Sequence, residues 1–163
     1  MAIEMGASNY GKSKVRLVKV ARRTDRHDLR DLTVDVALEG NFEAAYVKGY
    51  NTNLLATDTI RNSVYALAKD HLMKDIESFG LELVEHFVEA GPTVGRARVR
   101  LVEHPWERIE VNGRGHEHSF VRGSGNRTAT VMGTAGGVRI VEAGIENLIG
   151  LGGLPQGGVH YPP

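Results

Sequence analysis

The alternation of apolar and polar residues predicts that the chain begins with two β-strands. Residues 14–23 are rich in β-branched side chains but alternate imperfectly, and the slip at Leu17-Val18 indicates a β-bulge. After a polar turn at residues 24–28, the second strand is more regular, because its apolar side chains occupy every second position: Leu32, Val34, Val36 and Leu38. The simplest arrangement of these two strands is an antiparallel hairpin with one solvated face.

The apolar spacing then changes to that of two amphipathic helices. The stripe of the first helix consists of Ile60, Val64, Leu67 and Ala68, and Lys69-Asp70 ends it. The second helix extends from about Lys74 to Ala90 and stops at Gly91-Pro92. Its stripe consists of Ile76, Phe79, Leu83, Phe87 and Val88. Both stripes are typical of core faces that pack on a sheet.

Strands return in the remaining part of the chain. Ala97, Val99 and Leu101 alternate with three arginines, and shorter β segments are predicted at residues 106–111, 118–122, 129–132 and 138–141. Asn112-Gly113 between two alternating runs indicates a hairpin turn. The order ββααββ predicts an α+β domain in which the helices cover one face of an antiparallel sheet.

Composition narrows the possible classes of protein. The 163 residues suit one domain, and 20 basic residues balance 20 acidic ones, so the net charge gives no attraction to nucleic acid or to an anionic membrane. The absence of cysteine excludes disulfides and Cys-ligated metals. Because no apolar run could act as a signal peptide or span a bilayer, we expect a cytoplasmic protein.

The most informative stretch is residues 55–65, an extended segment that continues directly into the first turn of a helix. Thr57 and Asp58 lie where the period changes. One interpretation is that either residue caps the helix. The other is that the unpaired N–H groups and partial positive charge of the helix N-terminus bind an anionic planar ligand. The spacing alone leaves both open.

Other polar residues are weaker candidates for chemistry. His116 and His118 lie on one face of a predicted strand, and with His104 they could ligate a metal, but a lone His-x-His favours a structural or surface role. The strip Arg96, Arg98 and Arg100 could contact phosphate, yet its acidic neighbours favour a solvated or tunnel-lining face over a nucleic-acid interface.

The element order and several short segments resemble the amino-terminal half of urate oxidase (uricase), over roughly residues 9–149. The segments that carry the resemblance are Tyr10-Gly11-Lys12, Leu38-Glu39-Gly40, Ala56-Thr57-Asp58-Thr59-Ile60-Arg61-Asn62, Trp106-x-Arg108 and His116-x-His118-Ser119-Phe120-x-Arg122. The resemblance implies a T-fold, an antiparallel sheet backed by two helices. Uricases join two such units per chain and form tetramers that enclose a tunnel, with active sites at subunit interfaces.

The resemblance also implies a reaction. Uricases oxidise urate with O₂ to 5-hydroxyisourate and hydrogen peroxide, in purine catabolism, with no metal and no organic cofactor. Lys12 and Thr57 correspond to the family's catalytic pair, and Asp58 to the residue whose backbone N–H holds the substrate. The residues suit this chemistry, since a lysine with an ammonium pKa lowered by burial can act as a base. The Thr57 hydroxyl can relay a proton, and helix-terminal N–H groups can stabilise an anion.

Beyond Leu148 the chain departs from the uricase pattern. The family's Leu-Lys-Ser/Thr-Thr-x-Ser-x-Phe signature is missing, and residues 150–163 form a Gly/Pro-rich tail in place of a second T-fold unit. Read one nucleotide later, codons permitted for residues 153–163 can encode Phe-Pro-Lys-Glu-Gly-Tyr-Thr-Thr-Leu, which matches the family segment expected there. We therefore expect a half-length chain with a frameshifted tail, and the gene sequence tests this hypothesis.

Three functions stay open on the sequence. The first is a uricase-type enzyme that acts on urate and O₂. The second is a catalytically inactive T-fold remnant that only self-associates, through its exposed sheet edges, into a homo-oligomer. The third is another T-fold enzyme that acts on a purine or pterin ring, because a fold alone does not determine the chemistry.

Overall fold

A five-stranded antiparallel sheet with helices on one face forms the body of the molecule. The structure, a computed structural model, describes residues 6–22, 25–72 and 74–149, so the Gly/Pro-rich tail lies outside the described residues. The elements in chain order are β1 (Asn9–Ala21), β2 (Asp28–Gly40), α1 (Glu43–Lys48), α2 (Thr57–His71), α3 (Ile76–Ala90), β3 (Val94–Glu103), β4 (Trp106–Val111), β5 (Arg114–Arg122), β6 (Asn126–Thr134) and β7 (Arg139–Glu146).

The order of strands across the sheet is β1-β2-β3-β6-β7, and every neighbouring pair is antiparallel. Strands β4 and β5 form a separate hairpin. Its turn at Asn112-Gly113 has positive φ angles of 55° and 73°, as the Asn-Gly signal predicts. The predicted α+β architecture is confirmed, with two long helices packed on one face of an antiparallel sheet.

The core lies between the sheet and the two long helices. The predicted apolar stripes of both helices supply it, and the alternating apolar residues of β2 are all buried against them. Gly80 allows α3 to approach the sheet closely, because a Cβ at this position would lie 2.6 Å from the Val131 side chain.

The β-bulge of β1 lies elsewhere than the sequence predicts. Leu17 and Val18 pair regularly with β2, and the register instead shifts between Lys12 and Val15. The prediction is wrong because Val18, although apolar, is 62% exposed. An apolar residue at a solvent-facing position of a regular strand interrupts the apolar–polar alternation in the same way as a bulge.

Two helix features also differ from the prediction. The short helix α1 was not predicted, since none of its residues is buried and it therefore has no apolar stripe. Helix α3 begins at Ile76 and not at Lys74, because Asp75 is its N-cap and accepts a hydrogen bond of 2.7 Å from the Ser78 N–H. Within the described parts of the chain, no helix combines the length and the hydrophobicity needed to cross a bilayer.

Candidate functional site

Lys12 lies on the edge strand β1, directly opposite Val36 of β2. Directly paired residues of an antiparallel sheet project to the same face, and Val36 is buried in the core. The half-buried Lys12 side chain is therefore on the face that carries the helices. Among the described residues no hydrogen bond or ion pair involves its ammonium group.

The β-bulge directly follows Lys12. Ser13 and Lys14 together face the single residue Asp35 of β2. Lys14 has a φ of 56°, in the left-handed region, and its backbone N–H donates a hydrogen bond of 2.7 Å to Asp35 Oδ1. A carboxylate acceptor makes this bond stronger than a neutral one.

Thr57 and Asp58 are the first two residues of α2, and both are exposed. The interpretation that one of them caps the helix is wrong, because the N-cap is Ala56, which provides no side-chain acceptor. The Asp58 carboxylate instead lies 3.4 Å from the Arg61 guanidinium, one turn along the helix. In the described part of the chain no acceptor pairs with the N–H of Thr57 or Asp58, so the helix N-terminus is open.

Tyr10 connects β1 to the segment that enters α2. Its hydroxyl oxygen accepts a hydrogen bond of 2.9 Å from the Leu55 N–H, and its ring packs edge-on against Phe42 with 4.7 Å between centroids. Burial raises the pKa of the Tyr10 hydroxyl. Because Tyr10 and Lys12 share one face of β1, Lys12 lies on the side of the sheet where α2 begins.

The structure shows no direct bond between the members of the predicted catalytic pair. Among the described residues, no hydrogen bond joins Lys12 and Thr57. The sequence indicates Tyr10 only as part of the Tyr10-Gly11-Lys12 motif, and it gives no sign that Asp35 is important. Each of these side chains accepts a hydrogen bond from the backbone N–H of a residue far away in the sequence. Such a bond leaves no periodic signal in the sequence.

The histidines do not form the three-residue group that the sequence left open. His104 lies between Thr33, 2.8 Å from its Nε2, and Arg122, whose guanidinium donates a hydrogen bond of 3.0 Å to its Nδ1. Burial first, and the charge of nearby Arg16 second, lower the pKa of His104. His116 and His118 lie against each other on the hairpin. No group of three or more metal-ligating side chains is found among the described residues.

The predicted arginine strip lies on the sheet face opposite the helices. Arg96 pairs with Glu39 at 3.4 Å, and Arg100 pairs with Glu146 at 2.7 Å. Arg98 lines a cavity of about 350 Å³ together with Asp35 and other residues of β1, β2, β3 and β6. Acidic partners therefore offset most of the positive charge of this strip, which agrees with a solvated or tunnel-lining face.

The sequence model of the uricase family matches residues 8–132, about three quarters of the chain. The chain belongs to the uricase family. Among its relatives is the uricase of Arthrobacter globiformis, 40% identical over 146 residues that cover 90% of this chain and 47% of the relative. The uricase of Aspergillus flavus is 39% identical over 120 residues, covering 72% of this chain and 40% of the relative. The chain thus spans about half the length of the curated relatives it matches.

Solved structures agree with this assignment. The crystal structure of the Arthrobacter globiformis uricase superposes with a TM-score of 0.83 at 41% identity, covering 91% of this chain and 50% of that one. The Bacillus sp. TB-90 urate oxidase, at 18% identity and a TM-score of 0.76, shares the fold. The T-fold predicted from the sequence is confirmed, and so is the resemblance to one half of a uricase. The roles of Lys12, Thr57 and Asp58, all within the matched segment, stay predictions.

Proposed function

We propose that this uricase-family chain supplies half of a urate-oxidising site. In the proposed reaction, urate, O₂ and water give 5-hydroxyisourate and hydrogen peroxide, so urate loses two electrons and O₂ gains them. The observation that carries the proposal is the family match across the segment that contains Lys12, Thr57 and Asp58. O₂ is the co-substrate, and we propose that no metal or organic cofactor takes part.

Lys12 is the proposed base. It is half-buried, and no carboxylate among the described residues is paired with its ammonium group. Because a lysine in a salt bridge is held in its charged form, the absence of such a partner leaves the amine available to exchange a proton with a ligand. Removal of a proton from urate raises the electron density of the ring that O₂ must oxidise.

The open N-terminus of α2 is the proposed anion-binding part of the site. Urate is a planar monoanion at neutral pH, and the unpaired N–H groups of Thr57 and Asp58 lie at the positive end of the helix dipole. The Asp58 carboxylate would repel an anion, but the Arg61 guanidinium at 3.4 Å offsets part of its charge. The Thr57 hydroxyl is exposed at the same end, where it can relay a proton.

We further propose that self-association completes this site. Among the described residues no hydrogen bond joins Lys12 and Thr57, and in the proposed assembly Thr57 of one copy meets Lys12 of another. Both edges of the five-stranded sheet are available for such an assembly. Strand β7 is the more apolar edge, since Ile140, Val141 and Ile145 are each more than 40% exposed.

Three measurements test the proposal. Purified protein is incubated with urate in aerated buffer, and loss of the urate absorbance band is followed together with peroxide formation. Lys12→Met and Thr57→Ala should each abolish turnover, whereas Asp70→Ala, an exposed carboxylate on the far part of α2, should not. If the site forms between copies, an equal mixture of the two inactive variants should recover about a quarter of the wild-type rate. Random pairing in a two-fold dimer makes about half of the dimers mixed, and each mixed dimer has one intact site out of two.

A second candidate is a catalytically inactive T-fold remnant that only oligomerises. The observation that favours it is the coverage, since about half of each matched relative has no counterpart in this chain. A folded oligomer on size-exclusion chromatography without urate turnover would support this candidate. Turnover that survives exhaustive dialysis against a chelator would support the cofactor-free enzyme. The cytoplasmic location stays a prediction.

A further inference from the structure

The β-bulge decides which face of the sheet Lys12 occupies. Val15 and Leu17 of β1 are buried on the helix-bearing face. Side chains alternate along a strand, so in an uninterrupted β1 Ser13 would share that face and Lys12 would project to the opposite one. The extra residue of the bulge reverses this parity, and Lys12 is instead opposite the buried Val36.

The bulge depends on one side chain of the neighbouring strand. Lys14 adopts a φ of 56°, a conformation that is unfavourable for a residue with a Cβ. Its N–H has left the regular hydrogen-bond ladder, and Asp35 Oδ1 accepts it at 2.7 Å. Without this acceptor a second pairing is available. In it, the part of β1 before Val15 shifts by one residue along β2, and the bulge disappears.

We infer that Asp35 is a positioning residue for Lys12: by accepting the Lys14 N–H it holds the bulge that turns Lys12 toward the start of α2. The inference rests on the proposed function of Lys12 in urate oxidation. Asp35 neighbours Val36 along β2, so its side chain projects to the face opposite Lys12. It therefore acts on Lys12 through the backbone of β1 and not through direct contact with a substrate.

Asp35→Ala tests the inference by activity. We expect kcat for urate to fall between about tenfold and a hundredfold with a smaller change in KM, the range for a misplaced catalytic group. Asp35→Asn keeps a side-chain oxygen that can accept the Lys14 N–H, so it should retain most of the rate. Asp70→Ala removes the same group from an exposed site outside the sheet and serves as the matched control.

Deletion of Ser13 separates positioning from general stability. A chain without Ser13 can pair β1 regularly with β2, and Lys12 then remains opposite Val36 with no bulge to hold. In this background Asp35→Ala should change kcat less than twofold. A residue that matters only for stability would instead lower the rate equally in both backgrounds.

Two NMR measurements make the outcome independent of turnover. In the wild type, the Lys14 amide should exchange slowly, and the Lys12 side chain should show nuclear Overhauser effects to the Val36 methyl groups. In Asp35→Ala, Lys14 exchange should accelerate at least tenfold and the Lys12–Val36 contacts should disappear. If both signals persist in Asp35→Ala, the inference is overturned even where the wild type oxidises urate. If the wild type lacks turnover but both signals change, the proposed function fails and the positioning of Lys12 by Asp35 stands.

Discussion

Substitution of Asp31 by alanine should weaken the attachment of the β4–β5 hairpin to the main sheet. Asp31 is buried, with its side chain 1% exposed, and its Oδ2 accepts hydrogen bonds from Trp106 Nε1 at 2.9 Å and from the Arg16 guanidinium at 2.6 Å. Trp106 begins β4, so this carboxylate connects the hairpin to β2. Loss of a hydrogen bond to a charged acceptor costs about 1.5–3 kcal/mol. The Arg16 side chain is 52% exposed, which limits the ion pair to less than about 1 kcal/mol.

The two contributions together predict that Asp31→Ala lowers the free energy of unfolding by about 1.5–4 kcal/mol. Trp106 is the only tryptophan in the chain, so its fluorescence reports on the hairpin alone, while far-ultraviolet circular dichroism reports on the whole domain. Urea titrations followed by both signals measure the effect. We expect the Trp106 emission of the folded variant to shift to longer wavelength, because its indole N–H then bonds to water.

The matched control is Arg16→Gln, which removes the exposed partner and leaves the Trp106 bond in place. It should cost less than about 1 kcal/mol and leave the emission maximum unchanged. The reasoning is refuted if Asp31→Ala costs no more than Arg16→Gln. Asp31 Oδ1 is buried and has no hydrogen-bond partner among the described residues. A small cost for Asp31→Ala would mean that removal of this unpaired buried atom compensates for the lost hydrogen bonds.

Three further outcomes follow from the described contacts. Burial lowers the pKa of His104 in the folded protein, so as the pH falls the unfolded chain takes up a proton there before the folded protein does. The contribution of His104 to stability is therefore complete above the unfolded pKa of about 6.5 and is lost as the pH falls below it. A His104→Gln variant should lose this part of the pH dependence in urea titrations. Gly80→Ala should destabilise the protein by about 1–3 kcal/mol in thermal unfolding, because the new Cβ would lie 2.6 Å from the Val131 side chain. Lys14→Gly should raise the melting temperature by a few degrees, a gain of about 0.5–1 kcal/mol, since glycine adopts a φ of 56° without a Cβ penalty; an unchanged or lower melting temperature would contradict this.

The periodic features of this chain are predictable from its sequence, and the irregular ones are not. The apolar alternation of β2 and the stripes of α2 and α3 coincide with buried positions because one face of each element packs in the core. The Asn112-Gly113 turn is predictable because its positive φ angles suit these two residue types. The bulge at Ser13-Lys14 has no such signal. It places a lysine where glycine would be expected, and its acceptor lies 21 residues away in the chain.

The candidate site shows the same division. Thr57 and Asp58 are recognisable because a helix must begin where the apolar period changes, but an open N-terminus and a capped one have the same spacing. Ala56 occupies the capping position and supplies no acceptor, which is visible only once the boundary of the helix is known. The hydrogen bond from the Leu55 N–H to the Tyr10 hydroxyl joins two segments that no local pattern relates.

Two lysines on one face of β1 show why an anion suits the start of α2. Lys19 and Lys12 both project to the helix-bearing face. Lys19 lies at the C-terminal end of α2, where its ammonium group donates to the carbonyl oxygens of Ala68 and Lys69 and complements the negative end of the helix dipole. Lys12 lies toward the opposite end, where Tyr10 binds the segment before Thr57 and the helix offers N–H donors instead of carbonyl acceptors. An ammonium group and a helix N-terminus are both positive and cannot satisfy each other, so an anion is the ligand that suits this end of α2.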